Sequence, residues 1–592
     1  MSPYKDDTSA RVQATDAAWG TFFKSRFDGM MDGPYVVGPK DRAETFEHEF
    51  NALQKYTVMA RQRRNACVGA CGLPVEILSN IFAFAQVDWR PFVSSRAPND
   101  RIYYDFGWIY ITHVCHAWRT AAIGSAQLWR DLPIIGVPPR MATDMLRRSR
   151  RLPLSLSAHH RQFHVFGQRQ TQDLIWNWLC EPVLPRVERL SIFASTEEFA
   201  QWAPAFAQSM PAVRDLYIDL YSEDGEDSVW DLDDGFLGGQ RIHSLTRLSL
   251  NNVILSAASP LFSDALTFLS LSASLQMAPH RDTFTLASFR SQLQLMPNLE
   301  ELRLRDVLPY PQPGVSVKPY LFRRTFKRLH VYVSNFSIFE EFCIQFFRHF
   351  STHSTATVVA VVSIENSLDI NTEALTVLTL VNKRNGPQAR ELWMTQAAMK
   401  LSYVERPREE WSTRWDTSAT AGPFAPMSDW GIDVGEGRQV YTGHALATAY
   451  RGDEALDAVR AINFSRSAAE AFNDTDDTVG LWYAKFDRNA AVNRITVPYV
   501  LCEKLFKTLA QLDHDDPDAL LLFPSLETIV LYDKEDDFGG ELHTALDMAF
   551  LDMLDSRREV GAPVRELLVG RAMADWSVWA NVGEGIVVNF FD

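Results

Sequence analysis

Three stretches of the chain share one pattern of apolar residues: MPAVRDLYI at 210–218, MPNLEELRL at 296–304 and FPSLETIVL at 523–531. Proline is the second residue of each stretch, and after it apolar residues stand at positions i, i+3 and i+5. Proline disfavours a continuing helix, and alternation of apolar with other residues is typical of a half-buried strand. The pattern therefore predicts a short strand that follows a helix or a loop.

The same spacing recurs along much of the chain. Its clearer copies are Val187-Leu190-Ile192, Val213-Leu216-Ile218, Leu245-Leu248-Leu250, Leu266-Leu269-Leu271, Leu299-Leu302-Leu304 and Phe326-Leu329-Val331. Later copies are predicted at Leu375-Leu378-Leu380, Val459-Ile462-Phe464, Leu526-Ile529-Leu531 and Val564-Leu567-Val569. Each such unit leaves one face of its strand unburied until a neighbour stacks on it, so the copies predict one stacked array.

This part of the chain resembles leucine-rich repeats, whose units recur at about 20 to 29 residues. The resemblance implies an irregular solenoid with a curved parallel sheet on its concave side, which is a surface for binding a target protein. The asparagine or cysteine that usually follows the L-x-x-L-x-L core is replaced here by Val253, Ser274 and Val307. The stretch 386–450 has no clear copy, and we interpret it as an insertion that caps or interrupts the array.

A different pattern marks the segment from Gly72 to Pro133, which reads GLPVEILSNIFAFAQVDWRPFVSSRAPNDRIYYDFGWIYITHVCHAWRTAAIGSAQLWRDLP. Pro74 suits the first turn of a helix, and Glu76 is favoured near the positive end of the helix dipole. Apolar residues recur at helical spacing on both sides of the polar stretch 88–106, which is predicted to be a loop. The segment therefore predicts a small cluster of three short helices.

Three blocks of this segment resemble the successive signatures of the F-box: Leu73-Pro74-x-Glu76-Ile77-Leu78-x-x-Ile81-Phe82, Val114-Cys115-x-x-Trp118-Arg119 and Leu128-Trp129-x-x-Leu132. An F-box docks onto a Skp-family adaptor, which joins it to a cullin and a RING subunit in an SCF ubiquitin ligase. The resemblance implies that the adaptor-binding residues are Leu73, Pro74, Ile77, Leu78, Ile81, Val114, Cys115 and Trp118. Packing in the domain's own core is the alternative for several of them, and it is preferred for Trp118 and Trp129.

The expected fold class is α/β, with a short helical F-box-like domain followed by the repeat solenoid. The predicted parts are a loosely ordered N-terminal arm at 1–40, a helix at 41–69, the F-box-like domain at 70–135 and the degenerate repeats at 136–592. The helix at 41–69 is predicted because Phe46, Phe50, Leu53 and Tyr56 recur at three and four residues. We expect it to pack on the F-box-like domain, with a partner-binding or coiled-coil role as the alternative.

Composition and charge exclude several classes of function. With 58 Lys and Arg against 74 Asp and Glu, the formal net charge is −16, which disfavours phosphate backbones and anionic membranes as ligands. No window approaches the ~18 to 20 consecutive apolar residues of a membrane span, and the N-terminus has no apolar region of a secretory signal. Six scattered cysteines suggest reduced thiols, so the expected location is the cytoplasm or the nucleus. The close pair Cys67 and Cys71 is expected to pack in a helix rather than bind zinc.

The sequence shows no motif of a cofactor, metal or catalytic site. Gly435-Glu436-Gly437 lacks the third glycine of a dinucleotide site, and so does Gly583-Glu584-Gly585. His349 and His353 have the i, i+4 spacing of a zinc pair, but Phe350 stands where a zinc protease needs glutamate. His159, His160 and His164 lack a matching carboxylate or cysteine block, so we expect no metal there either.

The sequence therefore predicts a substrate-recognition subunit of an SCF-type ligase, which holds an adaptor on the F-box and an unidentified target on the repeats. A non-degradative interaction scaffold is the first alternative, and an enzyme hidden in the repeat region ranks last. Two acidic runs, Asp219 to Asp234 and Asp513 to Asp518, are interpreted as solvated loops. Steering of a basic target is the other interpretation of the first run.

Overall fold

The computed structural model describes residues 4–28, 39–96, 101–134, 137–159, 175–176, 178–222, 229–273, 284–315, 317–333, 336–353, 356–362, 389–395, 398–402, 406–411, 438–442, 457–473, 482–483, 486, 489–512, 519–532 and 544–591. The chain divides into two compact units, Met1–Leu152 and Pro153–Asp592. The helix Pro139–Arg148 therefore belongs to the first unit, although the predicted repeat region begins at 136.

The first unit is mainly helical. Its helices are α1 (Tyr4–Phe27), α2 (Pro39–Ala66), α3 (Val75–Asp88), α4 (His116–Gly124) and α5 (Pro139–Arg148), with 3-10 turns at Gly69–Cys71, Gly107–His113 and Ala126–Trp129. Its strands are β1 (Phe92–Arg96), β2 (Arg101–Asp105) and β3 (Asp131–Pro133). The predicted helical cluster is thus present, although part of it is 3-10 rather than α-helix. The predicted helix at 41–69 corresponds to α2.

The prediction of a loosely ordered arm at 1–40 is wrong for residues 4–27, which form α1. Alanine and other good helix formers are frequent in this stretch. The Phe27 ring near its end lies 6.1 Å from that of Phe46 and 5.9 Å from that of Phe50, both on α2. The glycines and proline that suggested a loop fall mostly at 29–38, which lies outside the described residues. The apolar stripe of α2 therefore packs in part against α1.

The stretch 88–106 was predicted to be a loop, and this prediction is also wrong. It contains an antiparallel pair, β1 and β2, in which Phe92 lies opposite Asp105 and Val93 opposite Tyr104. Aromatic and β-branched residues favour strands, and the sequence prediction gave them too little weight. Pro98, which suggested the loop, lies between the two strands, outside the described residues.

Gly107 connects this hairpin to the following 3-10 turn. Its φ is +52°, and a Cβ atom would lie 2.5 Å from the carbonyl oxygen of Trp89, so both conformation and space require glycine. The Gly107 N–H donates to Oδ1 of Asp105 at 2.7 Å, and the Trp108 N–H donates to the Trp89 carbonyl at 2.7 Å. These bonds hold the base of the hairpin against the end of α3.

Two tryptophans form the centre of the first unit. Trp108 and Trp129 are 1% and 0% exposed, and their ring centroids are 5.0 Å apart. Nε1 of Trp129 donates to the carbonyl of Ala122 at 2.8 Å, so the buried indole N–H is satisfied. The preferred interpretation of Trp129 as a core residue is confirmed.

The second unit is a mixed α/β body. Its helices are α6 (Thr196–Trp202), α7 (Leu286–Leu295), α8 (Phe336–His349), α9 (Arg466–Asn473), α10 (Glu503–Leu509) and α11 (Thr544–Glu559). Its strands are β4 (Leu154–His159), β5 (Val187–Ser195), β6 (Asp215–Tyr221), β7 (Trp230–Leu232), β8 (Arg247–Asn251), β9 (Val253–Leu255), β10 (Phe268–Ser272), β11 (Glu301–Arg305), β12 (Tyr320–Leu321), β13 (Arg328–Val333), β14 (Phe350–Ser351), β15 (Thr357–Val362), β16 (Glu391–Met394), β17 (Ala398–Ser402), β18 (Arg438–Thr442), β19 (Ala461–Phe464), β20 (Arg494–Pro498), β21 (Thr528–Tyr532), β22 (Glu566–Gly570) and β23 (Val587–Phe591).

Most of these strands belong to one large sheet. Parallel pairing joins β4, β5, β6, β8, β10, β11, β13, β15 and β18 in that order. A second parallel series runs through β16, β19, β20, β21, β22 and β23. Strand β17 pairs antiparallel with both β16 and β18 and so connects the two series.

The registers align equivalent positions of the predicted copies. A leucine occupies the middle apolar position in each of six neighbouring strands. These leucines are Leu190, Leu216, Leu248, Leu269, Leu302 and Leu329. All of them are buried. Every predicted copy on described residues coincides with a strand of this sheet, whereas Leu375-Leu378-Leu380 lies outside those residues. Strand β20 has the same spacing in Val492, Ile495 and Val497, and the sequence analysis missed it.

A polar residue does follow two of these strands, one position earlier than expected. Asn252 and Asp306 come directly after β8 and β11, and their φ angles are +55° and +54°. Asn and Asp tolerate this left-handed region better than most residues. Each backbone N–H donates to the next strand, Asn252 to Ser272 at 2.8 Å and Asp306 to Tyr332 at 2.9 Å. Val253 and Val307 are buried behind them.

Within the stretch 386–450, for which the sequence left capping or interruption of the array open, the parallel order of the sheet changes. The stretch supplies β16, β17 and β18, and β17 is the strand that runs antiparallel. Residues 406–411 of the same stretch lie on one face of the sheet, as described below. Among the helices of the described residues, none combines the length and the apolar character needed to cross a membrane.

Candidate adaptor-binding surface and sheet face

Helix α3 presents two different sides. Pro74 precedes the first helical residue, with φ −52° and ψ 148°, so it starts the helix as the sequence predicted. Leu78 and Phe82 are 2% and 0% exposed and form the buried side. The helix contacts both α4 and the 3-10 turn Gly107–His113. The buried side of α3 therefore packs within the first unit.

The other side of α3 is an exposed apolar stripe. Ile77, Ile81 and Phe84 follow each other at i, i+4 and i+7, so they share one helix face, and they are 46%, 44% and 78% exposed. Leu73 precedes Ile77 by four residues and is 38% exposed. Single exposed apolar residues are ordinary, but a contiguous set on one helix is typical of an interaction surface. We call Leu73, Pro74, Ile77, Ile81 and Phe84 the α3 stripe.

Leu78 was assigned to the adaptor contact, and the structure corrects that assignment. Its side chain is 2% exposed and lies with Phe82 on the buried side of α3. A residue one position from Ile77 is rotated by roughly 100° around the helix axis, which explains the difference. Phe84, by contrast, is the most exposed member of the stripe, and the sequence analysis did not assign it to the site.

Cys115 and Trp118 are partly buried and have structural contacts. Sγ of Cys115 caps α4 by accepting from the Trp118 backbone N–H at 3.5 Å, and it lies 3.6 Å from Sγ of Cys71. The hydrogen bond with Cys115 raises the pKa of the Cys71 thiol. Nε1 of Trp118 donates to the carbonyl of Ala70 at 3.2 Å, and its ring lies 5.3 Å from that of Phe82. Val114, just before this cap, is 58% exposed.

The large sheet of the second unit has an outward face that lies opposite its leucine core. Residues on this face alternate with the buried apolar positions, because successive strand residues point to opposite sides. From β5 to β13 the registers place them in three rows. The rows are Arg189, Asp215, Arg247, Phe268, Glu301 and Arg328; then Ser191, Tyr217, Ser249, Ser270, Arg303 and His330; then Phe193, Asp219, Asn251, Ser272, Arg305 and Tyr332. We call this set the arginine face.

Glu301 is the centre of charge pairing on the arginine face. Its side chain is 5% exposed and accepts from Arg303 at 2.6 Å and from Nε of Arg328 at 2.7 Å. Burial acts to raise the pKa of Glu301, but the two arginines outweigh it and hold that pKa below its ordinary value. Burial, aided by the nearby arginines, lowers the pKa of His330 to about 4. This histidine is therefore neutral near pH 7.

Two further arginines of this face stack on rings. The guanidinium of Arg247 lies 4.1 Å from the Phe268 ring centroid, and that of Arg305 lies 4.9 Å from the Tyr332 ring. Nearby, Asp219 accepts from the Tyr217 hydroxyl at 2.8 Å and from Nδ2 of Asn251 at 2.6 Å. Burial, together with the Asp219 charge, raises the pKa of Tyr217, so its hydroxyl stays protonated as a donor.

The second series of strands has the same outward face, and part of that face, on β16, β20 and β22, is covered. Residues 406–411, which we call the strap, lie on it: Arg406 donates to both oxygens of Glu391, at 2.8 and 2.9 Å. Arg408 pairs with Glu566 on β22. Glu391 also accepts from Arg494 at 2.6 Å. Glu391 and Arg494 are only 1% and 3% exposed, so the buried carboxylate is shared between two guanidinium groups.

Rings complete the contact between the strap and the sheet. Arg406 lies 4.1 Å from the Trp393 ring centroid, and Arg494 lies 4.2 Å from that of Trp411. Nε1 of Trp411 donates to the Arg406 carbonyl at 3.0 Å, which closes the strap on itself. The strap is thus held on the outward face by arginine–carboxylate pairs and by cation–π contacts.

The histidine pair considered in the sequence does not lie on one helix. Helix α8 ends at His349, and β14 begins at Phe350, so His353 lies beyond the helical turn that the spacing assumed. Nδ1 of His349 instead bonds the Gln345 carbonyl at 2.9 Å. His160 and His164 lie outside the described residues. Where the structure describes the chain, no group of three or more His, Cys, Asp or Glu residues could hold a metal ion.

Comparison with known proteins adds no family to these observations. No protein-family model matches the chain, and no curated protein matches it. Any functional conclusion therefore depends on the sequence blocks of the first unit and on the two surfaces described above.

Proposed function

We propose that the chain is a substrate receptor of an SCF-type ubiquitin ligase, which binds a Skp-family adaptor through the first unit and a target protein through the second. The observation that carries the proposal is the α3 stripe. It lies in the segment with the three F-box-like blocks, and it exposes Leu73, Pro74, Ile77 and Ile81, to which the resemblance gives adaptor contact. In this proposal the chain contributes no catalytic residue, and other subunits transfer ubiquitin.

Burial of the stripe by a partner is favourable. Removing apolar surface from water contributes roughly 25 cal/mol per Å², and a fully buried Ile, Leu or Phe contributes about 1.5 to 3 kcal/mol. Ile77, Ile81 and Phe84 are each more than 40% exposed, so much of this free energy is still available to a partner. Cys115 and Trp118 then support the surface by fixing α4 against the Gly69–Cys71 turn.

The test is capture of a purified Skp-family adaptor by the full chain. We expect the double variant Ile77→Ala, Ile81→Ala to bind at least about tenfold more weakly, because each interface anchor contributes more than ~1 kcal/mol. The melting temperature of the variant should stay close to that of the unchanged chain, since both side chains are exposed.

The matched control is the double variant Val12→Ala, Tyr56→Ala. These two residues are 63% and 60% exposed and belong to α1 and α2 rather than to α3. The control should keep full capture. Full capture by the Ile77, Ile81 variant, at an unchanged melting temperature, would refute the assigned surface. A second measurement separates a receptor from a non-degradative scaffold. In a reconstituted ligase, a receptor should make the bound target disappear faster than the ligase without this chain does, whereas a scaffold should not.

A further inference from the structure

The arginine face is a positively charged surface on an acidic protein. Its three rows contain five arginines and three carboxylates, so their net charge is +2. The arginines are Arg189, Arg247, Arg303, Arg305 and Arg328, and the carboxylates are Asp215, Asp219 and Glu301. The whole chain has a formal net charge of −16. Arg189 and Arg328 keep 52% and 54% of their side-chain area exposed. Anionic groups are therefore attracted to this face although the chain as a whole repels them.

Two of these arginines have no carboxylate partner among the described residues. The three carboxylates of this face already have partners. Glu301 forms ion pairs with Arg303 and Arg328, and Asp215 lies 3.5 Å from Arg189. Asp219 accepts hydrogen bonds from Tyr217 and Asn251. Arg247 and Arg305 instead stack on Phe268 and Tyr332. A stacked guanidinium keeps its in-plane N–H groups free for a carboxylate, which it can bind through two hydrogen bonds.

The strap shows how a peptide is held on this same side of the sheet. It uses arginine–carboxylate pairs, at Glu391 and Glu566, and rings over guanidinium groups, at Trp393 and Trp411. The charges are reversed: there the sheet supplies the carboxylates and the strap supplies Arg406 and Arg408. On the arginine face the sheet supplies the cations, and among the described residues Arg189, Arg328 and Tyr217 of this face are exposed.

We infer that the arginine face binds an extended acidic peptide segment of the target protein, with carboxylates on Arg247 and Arg305. This inference rests on the proposed function, because it names the chemistry of the target. Five strand spacings of about 4.8 Å separate Arg189 from Arg328, a span of roughly 24 Å. An extended peptide rises about 3.3 Å per residue, so about seven residues cross the face.

The experiment measures fluorescence anisotropy of a labelled peptide of about seven residues that alternates glutamate with tyrosine, titrated with the full chain. A peptide with glutamine in place of each glutamate is the ligand control. We expect the acidic peptide to bind, the glutamine peptide to bind at least about tenfold more weakly, and salt to weaken the complex.

The variant Arg247→Gln, Arg305→Gln should weaken binding of the acidic peptide by about tenfold or more. The matched control Arg147→Gln, Arg565→Gln removes two arginines that are 76% and 72% exposed elsewhere, and it should bind normally. Absence of acidic-peptide binding, equal binding of both peptides, or equal loss in both variants overturns the inference. So does displacement of the peptide by a single-stranded oligonucleotide at lower concentration, which would indicate a nucleic acid ligand.

Adaptor capture separates failure of this inference from failure of the proposed function. The Arg247, Arg305 variant should capture the adaptor normally, and the Ile77, Ile81 variant should bind the acidic peptide normally. Loss of peptide binding with intact adaptor capture would overturn only the target chemistry. Peptide binding without adaptor capture by the unchanged chain would overturn only the ligase role.

Discussion

Ile77 and Leu78 are neighbours in the sequence with opposite environments, 46% and 2% exposed. We predict that Leu78→Ala lowers the free energy of unfolding by about 2 to 5 kcal/mol, because it leaves a cavity beside Phe82. Ile77→Ala should change it by less than about 1 kcal/mol. Urea titration followed by tryptophan fluorescence measures both. Equal losses for the two variants would contradict the orientation of α3.

Arg557 of α11 is a buried cation held by carbonyl groups. Its side chain is 0% exposed, and Nη2 donates to the Phe523 carbonyl at 2.7 Å, while Nη1 donates to those of Leu509 and Leu522 at 3.4 and 3.3 Å. Burial lowers the pKa of Arg557 to about 10, so it is still charged near pH 7. The contacts fix the turn at Phe523, whose φ is +48°.

We predict that Arg557→Ala lowers the free energy of unfolding by about 3 kcal/mol or more, since three buried carbonyls lose their donor. The adjacent Arg558 provides a matched control, because it is 51% exposed and pairs with Asp555 at i, i+3. Arg558→Ala should cost less than about 1 kcal/mol. Chemical denaturation of the two variants checks the difference, and similar losses would argue against the buried position of Arg557.

At the level of elements, β11 and β13 form a pH-sensitive contact. His330 is 3% exposed, and Arg303, Arg328 and Glu301 face it. Its pKa in the folded chain is about 4, below the value of about 6.5 expected in the unfolded chain. Between these values the unfolded state binds more protons, so stability falls as the pH drops through this window.

We predict that His330→Gln reduces the stability lost between about pH 7 and pH 4.5, by up to roughly 3 kcal/mol. The comparison is with the unchanged chain over the same window, so that acid effects on carboxylates that do not face His330 cancel. His243→Gln is the control, because His243 is 75% exposed. An unchanged pH slope for His330→Gln would show that this histidine does not have to be neutral for folding.

The sequence predicted the strands of the second unit better than the connections of the first. Apolar spacing at i, i+3 and i+5 is a direct consequence of one buried strand face, and so the copies located β5, β6, β8, β10, β11 and β13. Helix α1 and the β1–β2 hairpin were missed because glycine and proline nearby were given more weight than helix propensity and aromatic residues. The glycines and prolines lie largely between these helices and strands in the sequence rather than within them.

The candidate site was predictable only in part. Motif resemblance selects positions along α3, but it does not tell which side of the helix the fold buries, so Leu78 was assigned wrongly and Phe84 was omitted. The arginine face was not recognised at all. Its members are far apart in sequence, from Arg189 to Arg328, and only the parallel registers bring them into rows.

At the scale of the whole molecule, two compact units carry two different surfaces, one apolar and one charged. The apolar α3 stripe is insensitive to salt, whereas attraction to the arginine face decreases as salt screens it. The strap lies on part of the outward face of the second series of strands, at Glu391, Arg494 and Glu566.

The residue-for-residue registers of the sheet have an evolutionary consequence. Each of the strands β5, β6, β8, β10, β11 and β13 adds one side chain to every row of the outward face, and the buried leucines that set the spacing lie on the other side. A mutation in one outward position therefore changes the contacts of that side chain without changing the buried leucines that set the spacing. Selection can change what such a surface recognises gradually, one strand at a time, while the hydrophobic core that maintains the fold stays the same.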